Sequence, residues 1–387
     1  MLTIHRAERS GPLADALARI LQDPLPDPFA PEVVAVPARG IERWLTQRLA
    51  TVLGAQHGDG VAANIAFPSP TRLVDEAIAA ATGVDPDDDP WAGPRLLWTL
   101  LEVIDASLGE PWSAVLTAHL SGEHRVARRY ATAAHITDLW RGYAAERPPM
   151  LLDWAASRDS DGTGRPLPED LRWQPALWRR LRDRIGTSSP AERLADACQR
   201  LRDDPTLSDL PPRLSVYGPT RLTTEQLAVL DALAADRDVH LWIAHPSPAM
   251  WATLTGRPTS VRRRAGTSAS AVRHPLLASL SRDTREMQQR LSPLAARDVH
   301  HGTTPTSTTL LQQLQADLAA DRPPAHTATA DGSVQVHACH GPPRQVEVLR
   351  ETLLHLFTAD PTLEPRDVLV MCPDVEAYAP LVRAAFG

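Results

Sequence analysis

The stretch VVAVPARGIERWLTQRLA, residues 33–50, is where this chain comes nearest to a known chemistry. A run of small and β-branched apolar residues leads through Pro37, Ala38, Arg39 and Gly40 into a helical pattern. Strand, short loop and helix is the layout in which backbone N–H groups at a helix start cradle a phosphate. Gly40 is expected to supply the tight turn. The catalytic set is incomplete, however. A P-loop needs a lysine for the phosphates and a Ser or Thr hydroxyl for Mg2+ after its glycines. Here Gly40 is followed by Ile41, and the chain contains no lysine, so all 40 basic residues are arginine. Arg39 can touch a phosphate, but nothing beside it holds the metal. ATP turnover by this chain is not expected.

Other candidate chemistry is thinner. HACH gathers His337, Cys339 and His340. In a strand the first two face one way and His340 the other, and no second cluster has zinc-like spacing. DPDDDP, residues 85–90, holds four carboxylates between flanking prolines and reads as a solvated loop. There is no G-x-S-x-G, and Cys372 ends an apolar run, which reads as a buried core thiol. No carboxylate set has the look of a nuclease site. What remains is arginine beside aromatic residues: Arg39, Arg43, Arg72, Arg141 and Arg147, with Trp44, Trp140 and Tyr143 close in sequence. Such a mixture lines single-strand channels by stacking and phosphate contact. The residues alone favour the plainer reading, core tryptophans and solvated arginines, because the net charge gives DNA no extra support.

The elements that must position these groups follow from periodicity. LTIHRA alternates like a short strand, and GPLADALARILQ repeats as a helix. EVVAVPA is a continuous apolar run, as in a parallel strand covered on both faces. Ile41, Trp44, Leu45, Leu49 and Val52 share one face of the following helix. VAANIAFPSPTRLVDEAIAAA adds a strand and a helix. From about Trp91 to Arg202 the pattern turns helical and rich in Trp and Leu, and then the α/β pattern returns in RLSVYGPT and DVHLWIAHPSP. Residues 256–272 read as a mobile polar loop and DRPPAHTATADG as a linker. Beyond it, SVQVHACHGPPRQVEVLRETLLHLF and RDVLVMCPDVEAYAPLV read as strand–helix, strand–helix. The expected division is therefore 1–95 for the first part of an α/β domain, 96–211 for an inserted helical subdomain and 212–255 for the second part. Residues 256–332 form loop, helix and linker, and 333–387 open a second α/β domain, truncated inside a helix. The chain is on this reading a fragment of something longer.

Composition bounds the answer without naming it. At 43% hydrophobic and 22% charged the 387 residues are ordinary for a soluble globular protein. No apolar run reaches the roughly 18 residues of a membrane span, and MLTIHRAERSG has no signal-peptide core. Three scattered cysteines fit a reducing cytoplasm. A formal net charge of −7 gives nucleic acid no general attraction.

Taken in order, DPFAPEVVAVPARGIERWL, VAANIAFPSP, TDLWRGYAAERP, WQPALWR, HPLLAS, VHACHGPPRQVEVLRETLL and DPTLEPRDVLVMCPDVEAYAPLV resemble the RecC family, the gamma subunits of exodeoxyribonuclease V, the RecBCD helicase–nuclease. The resemblance implies a degenerate superfamily 1 helicase-like fold, a P-loop-type parallel sheet that has lost its ATPase motifs, with an inserted all-helical subdomain and the start of a second α/β domain. It also implies a non-catalytic subunit for double-strand break repair by recombination, which guides the 3′-ended single strand and reads a Chi-like hotspot. RecB-like and RecD-like partners would supply ATP and Mg2+ chemistry; no cofactor is expected in this chain. Carried over by motif, the candidate DNA contacts are Pro37, Arg39, Arg43, Ser69, Asp75, Asp138, Leu139, Arg141 and Arg147. Asp138, Leu139 and Arg147 keep the residue types of the family motif. Pro37, Arg39 and Arg43 replace polar ones, and an arginine prefers guanine or phosphate where an amide reads adenine. Two other readings stand beside this one: a catalytic ATP-dependent helicase or exonuclease, and a purely structural adaptor.

Overall fold

The computed structural model describes residues 1–54, 60–121, 125–259, 265–302, 308–324 and 329–387. The chain opens with β1 (Leu2–Ala7), α1 (Ser10–Leu21), β2 (Glu32–Ala35), α2 (Arg39–Ala50), β3 (Ile65–Ala66) and α3 (Pro70–Thr82). A helical block follows: α4 (Gly93–Ser107), α5 (Ala114–His119), α6 (Arg125–Glu146), α7 (Pro148–Ala155), α8 (Trp173–Ile185) and α9 (Pro190–Asp203). The sheet resumes with β4 (Arg213–Tyr217), α10 (Thr224–Leu233), β5 (Asp238–Ala244), α11 (Pro248–Leu254), α12 (Pro275–Leu280), α13 (Arg282–Leu291) and β6 (Arg297–His300). The chain ends with α14 (Leu310–Ala319), α15 (Gly341–Ala359) and α16 (Val375–Phe386). Residues 1–305 with 315–324 form one compact unit, and 306–314 with 325–387 form another.

In the first unit six parallel strands lie in the order β3-β2-β4-β5-β1-β6. The chain steps from β1 to β2 to β3 in one direction and from β3 through β4 and β5 in the other. Right-handed crossovers then require helices on both faces. One face packs Val34, Val36, Tyr217 and Trp242 against Leu13 and Leu17 of α1 and Leu45 and Leu49 of α2. The other packs Val33, Ala35, Val216 and Leu241 against α3, α9, α10 and α13. Each such leucine, fully buried, contributes about 2 kcal/mol. Local signals set the helix starts: Thr223 and Gln226 form a capping box on α10, and Ser189 and Glu192 form one on α9.

The helical block has its own core around Leu100, Ile104, Trp140, Trp154 and Trp178. α9 belongs to both cores. Ala191 lies in the helical one, and Leu194, Ala197, Cys198 and Leu201 lie under the sheet. At the end of α6 the Glu146 carboxylate accepts from Arg221 at 2.8 Å and Arg290 at 2.6 Å. Its carbonyl oxygen accepts from the Thr224 hydroxyl at 3.0 Å.

The second unit departs from expectation. α15 and α16 form and pack together, with the Tyr378 hydroxyl donating to Gln345 at 2.8 Å. The anticipated strands at 333–339 and 366–372 do not form a ladder, and no strand occurs among the described residues of 329–387. A parallel strand exists only with a hydrogen-bonded neighbour. Without one, Val336 is 93% exposed, Met371 is 86% exposed, and Cys372 is half-exposed instead of a core thiol. The helix α14 and the short edge strand β6, paired to β1, were not expected from the sequence. Of the proposed loop, 260–264 lie outside the described residues, as do 325–328 of the proposed linker.

Two outcomes are expected of this packing. Glu146→Gln removes the charge that bridges half-buried Arg290 and exposed Arg221, and the unfolding free energy in urea should fall by about 2 kcal/mol; no change would mean that α9 alone joins the two cores. His5 is buried on β1, and its imidazole pKa is pushed down to about 3 by burial first and then by His240, His301 and Arg297. The unfolded chain takes up that proton near pH 6.5, so stability should fall as pH drops from about 6.5 toward about 3, at up to about 1.4 kcal/mol per pH unit for this group. His5→Phe should flatten that limb; superimposable pH profiles would assign the acid sensitivity elsewhere.

Candidate nucleic-acid interface

Adjacent strands β2 and β4 send their connections in opposite directions, toward β3 and β5 respectively. Between their carboxyl ends such a sheet leaves the crevice where ligands bind. Residues 36–40 form one wall. Gly218, at φ +66°, turns the chain on the other, and the site of its missing Cβ is 3.7 Å from Ile41 Cδ1. β3 closes the outer side, with Val36 N–H donating to Pro68 O at 2.9 Å.

α2 starts in this crevice. Its N-cap is Ala38, extended at φ −155° and without a side-chain acceptor. The N–H groups of Ile41 and Glu42 return to Ala38 O at 3.0 and 3.2 Å, which leaves those of Arg39 and Gly40 outside the helical ladder. Gly40 is not the tight turn expected of it. It lies inside the helix, and an added Cβ would meet nothing within 4 Å. The change of direction is made by Pro37 and Ala38. Pro37, Arg39 and Arg43 are exposed. Arg39 and Arg43 stand one turn apart, and neither makes an ion pair among the described residues. Trp44 also departs from the expected apolar face: it is 40% exposed, its ring 6.4 Å from that of Tyr217. Leu45 and Leu49 carry the anchoring instead, and a two-pronged Arg48–Asp15 bridge ties α2 to α1. Ser69, also exposed, spends its hydroxyl capping α3, accepting from Arg72 N–H at 3.1 Å.

A cleft of about 640 Å³ lies between α3 and the helical block. Trp91, Leu96 and Trp178 give it apolar walls, and Asp75, Asp138 and Glu225 give it negative ones. Burial pushes the Glu225 carboxyl above the usual range, helped by Asp75 and opposed by Arg193. Asp75 is raised too, by desolvation against the cleft and then by Glu76, although the residue as a whole is exposed. Asp138 pairs with Arg141 at 2.8 Å, both more than two-thirds exposed, so the pair adds little stability. Leu139 and Arg147 are half-buried and line neither crevice nor cleft. Nine candidate residues thus divide three ways: four at the carboxyl end of the sheet, three in the cleft, two elsewhere. Trp140 belongs to the helical core and also lines the cleft, and Tyr143 packs against that core.

The other sequence candidates resolve simply. His337 and its neighbours lie on extended, exposed chain, and no group of three potential metal ligands is assembled among the described residues. In DPDDDP, Asp85 accepts from Asp87 N–H, Asp88 pairs with Arg95, and Asp89 bridges to Arg193. A row of histidines on β1, β5 and after β6 was not singled out by sequence. The available signal was the polar half of the alternation in LTIHRA and DVHLWIA.

These features define a doubly wound parallel α/β protein with a helical insertion and a cationic helix start at its switch point. The model of the RecC N-terminal domain matches residues 2–321, and the chain belongs to the RecC family. It is 50% identical to the RecBCD enzyme subunit RecC of Mycolicibacterium smegmatis over 396 residues, covering all of this chain and 34% of that protein. The RecC of Mycobacterium tuberculosis is also 50% identical, over 402 residues and 36% of its length. That of Escherichia coli is 26% identical over 441 residues, 38% of its length. The chain spans about a third of the length of these curated relatives.

The cleft carboxylates favour one stability experiment. A carboxyl whose folded pKa is raised helps the folded state only while protonated, and opposes it once ionised. Glu225→Gln should therefore raise the melting temperature by about 2 °C at pH 8 and leave it unchanged below pH 4. A fall at pH 8 would mean that the Glu225 carboxylate makes a stabilising contact across the cleft.

Proposed function

We propose that this chain is a non-catalytic DNA-handling and scaffold part of a RecBCD-type helicase–nuclease, built on a helicase-like sheet that no longer turns over ATP. The observation that carries the reading is the start of α2. Two arginines that make no ion pair among the described residues, an exposed tryptophan and uncapped N–H groups converge at the switch point where a nucleotide enzyme of this topology would hold phosphate. Lysine and Mg2+-binding hydroxyl are missing from that loop. Arginine forks grip phosphates, and an exposed indole stacks on a base. The 3′-ended single strand would pass Pro37, Arg39, Arg43 and Ser69. Asp75, Asp138 and Arg141 would face it from the cleft, with Leu139 and Arg147 shaping the helix behind them. Carboxylates accept from exocyclic amines of bases, so reading of a Chi-like hotspot belongs to the cleft side of this path. RecB-like and RecD-like subunits are the proposed partners, with ATP and Mg2+ on those subunits and the cytoplasm as the compartment. No helix among the described residues is long and apolar enough to cross a membrane.

Arg39→Ala with Arg43→Ala should weaken binding of an oligo-dT strand by about tenfold, and the log–log salt dependence should become shallower by about 1.4, two phosphate contacts on single-stranded DNA. Fluorescence anisotropy at several salt concentrations measures both. Unchanged affinity and slope would remove α2 from the DNA path. DNA-stimulated ATP turnover by the chain alone would favour the catalytic reading. Co-elution with a RecB-like subunit without any DNA binding at low salt would favour the structural adaptor.

A further inference from the structure

The sheet carries a polar stripe that this DNA path does not use. On the face that holds α1, β1 presents Thr3 and His5, β5 presents His240, and β6 with the residue after it presents Arg297, Val299 and His301. α1 borders the stripe with Ala16, Arg19 and Ile20 and leaves a groove of about 350 Å³. Its floor is a row of imidazoles. His5 Nδ1 lies 2.9 Å from His301 Nε2, and His5 Nε2 lies 3.0 Å from His240 Nδ1. The His5 ring stacks on buried Trp242 with centroids 3.9 Å apart, which fixes the row in place.

Burial and neighbouring cations hold all three imidazoles below their ordinary pKa, so the row is neutral at pH 7. Three neutral rings carry three N–H groups. Two are spent within the row, both running in one direction, and the third emerges at one end, from His240 Nε2 or from His301 Nδ1. Arg297 depresses His5 and Arg19 depresses His301, which puts both guanidiniums close to the row. Neither arginine makes an ion pair or a side-chain hydrogen bond among the described residues. Asp238, the carboxylate lining the groove, faces the N-terminal ammonium at 3.6 Å. Among the described residues the groove therefore holds two arginines without a carboxylate partner, above a floor with one outward N–H.

We infer that this groove binds a phosphate group, gripped by Arg19 and Arg297 over the imidazole row. Guanidinium forks match phosphate oxygens in pairs, and the free imidazole N–H supplies one more donor, the bound anion selecting the end from which it emerges. The volume falls at the low end of nucleotide-sized pockets. A nucleic-acid backbone and a small phosphorylated molecule present the same chemistry here. The site shares no residue with the α2 crevice and stands whether or not that crevice binds DNA.

The test titrates the full 387-residue chain with pyrophosphate and, separately, with a fluorescent twelve-residue oligo-dT. Wild type, Arg19→Ala with Arg297→Ala, and Arg39→Ala with Arg43→Ala are compared, with the imidazole C–H resonances of His5, His240 and His301 followed by NMR. Arg19 and Arg297 are exposed, so their removal should not disturb folding, and Lys at both positions should restore much of the binding. The expected result is a loss of about tenfold in affinity for at least one probe on removing Arg19 and Arg297, with imidazole shifts on saturation in wild type. Loss confined to the oligonucleotide identifies a nucleic-acid backbone as the source of the phosphate; loss confined to pyrophosphate identifies a small molecule. If Arg19→Ala with Arg297→Ala binds both probes as wild type does, or if saturating probe leaves the three imidazoles unmoved, the inference fails.

Discussion

The joint at Glu146 is the constraint on which the candidate interface depends. Its carboxylate takes two arginines, Arg221 from the loop before α10 and Arg290 from α13, and Arg290 also donates to Leu222 O at 3.0 Å. One acidic residue at the end of α6 thereby fixes the helical block to two separate elements of the sheet's cover. α9 makes the same connection through apolar packing, one end in each core. The cleft exists because both hold. Asp138 stands two turns back along α6, about 12 Å from Glu146, while Asp75 and Glu225 stand on α3 and α10. A slip at the joint would change the distance between the two acidic walls, so the clamp sets the geometry of the cleft.

How much of this could be read in the sequence depends on how each strand is buried. β2 was plain because a strand covered on both faces is apolar throughout, and VVAV is. β1 and β5 were legible as strands, but their alternation carried a second message: Leu2, Ile4, Val239 and Leu241 face the core, while Thr3, His5 and His240 face the groove. β6 offers only Val299 as a half-buried side chain, and a short polar edge strand leaves almost no periodic signal. The α2 candidate rests in part on an expectation that the structure corrects. The strand–loop–helix pattern was real, but Gly40 has no conformational task, and the helix opens on an alanine that cannot cap it.

The second unit shows where local pattern stops specifying structure. SVQVHA and DVLVMC have the β-branched content of strands, and the helices between and after them form as their periodicity requires. Helices close their own hydrogen bonds, whereas strands borrow theirs from a neighbour. The same apolar residues that marked these segments as strands are therefore the ones left most exposed, Val336 and Met371 among them.

Net charge misdescribes this molecule for a related reason. A surplus of seven acidic residues argues against an anionic ligand only if every arginine is equally available. They are not. Arg48, Arg213 and Arg290 are held by carboxylates, and Arg237 is buried with its guanidinium on the carbonyls of Pro205, Ser208 and Leu210. Arg19, Arg39, Arg43 and Arg297 are exposed and make no ion pair among the described residues, and α1 and α2, which carry three of the four, pack on the same face of the sheet. At a Debye length of about 8 Å a ligand responds to the charges beside it, not to the sum over the chain. Meanwhile the carboxylates of the cleft lie on the opposite side, against α3 and α10, with Arg141 and Arg193 paired to two of them. Separated in this way, the two signs divide the first unit: unpaired cations stand on the α1 and α2 side, and the cleft carboxylates stand on the α3 and α10 side.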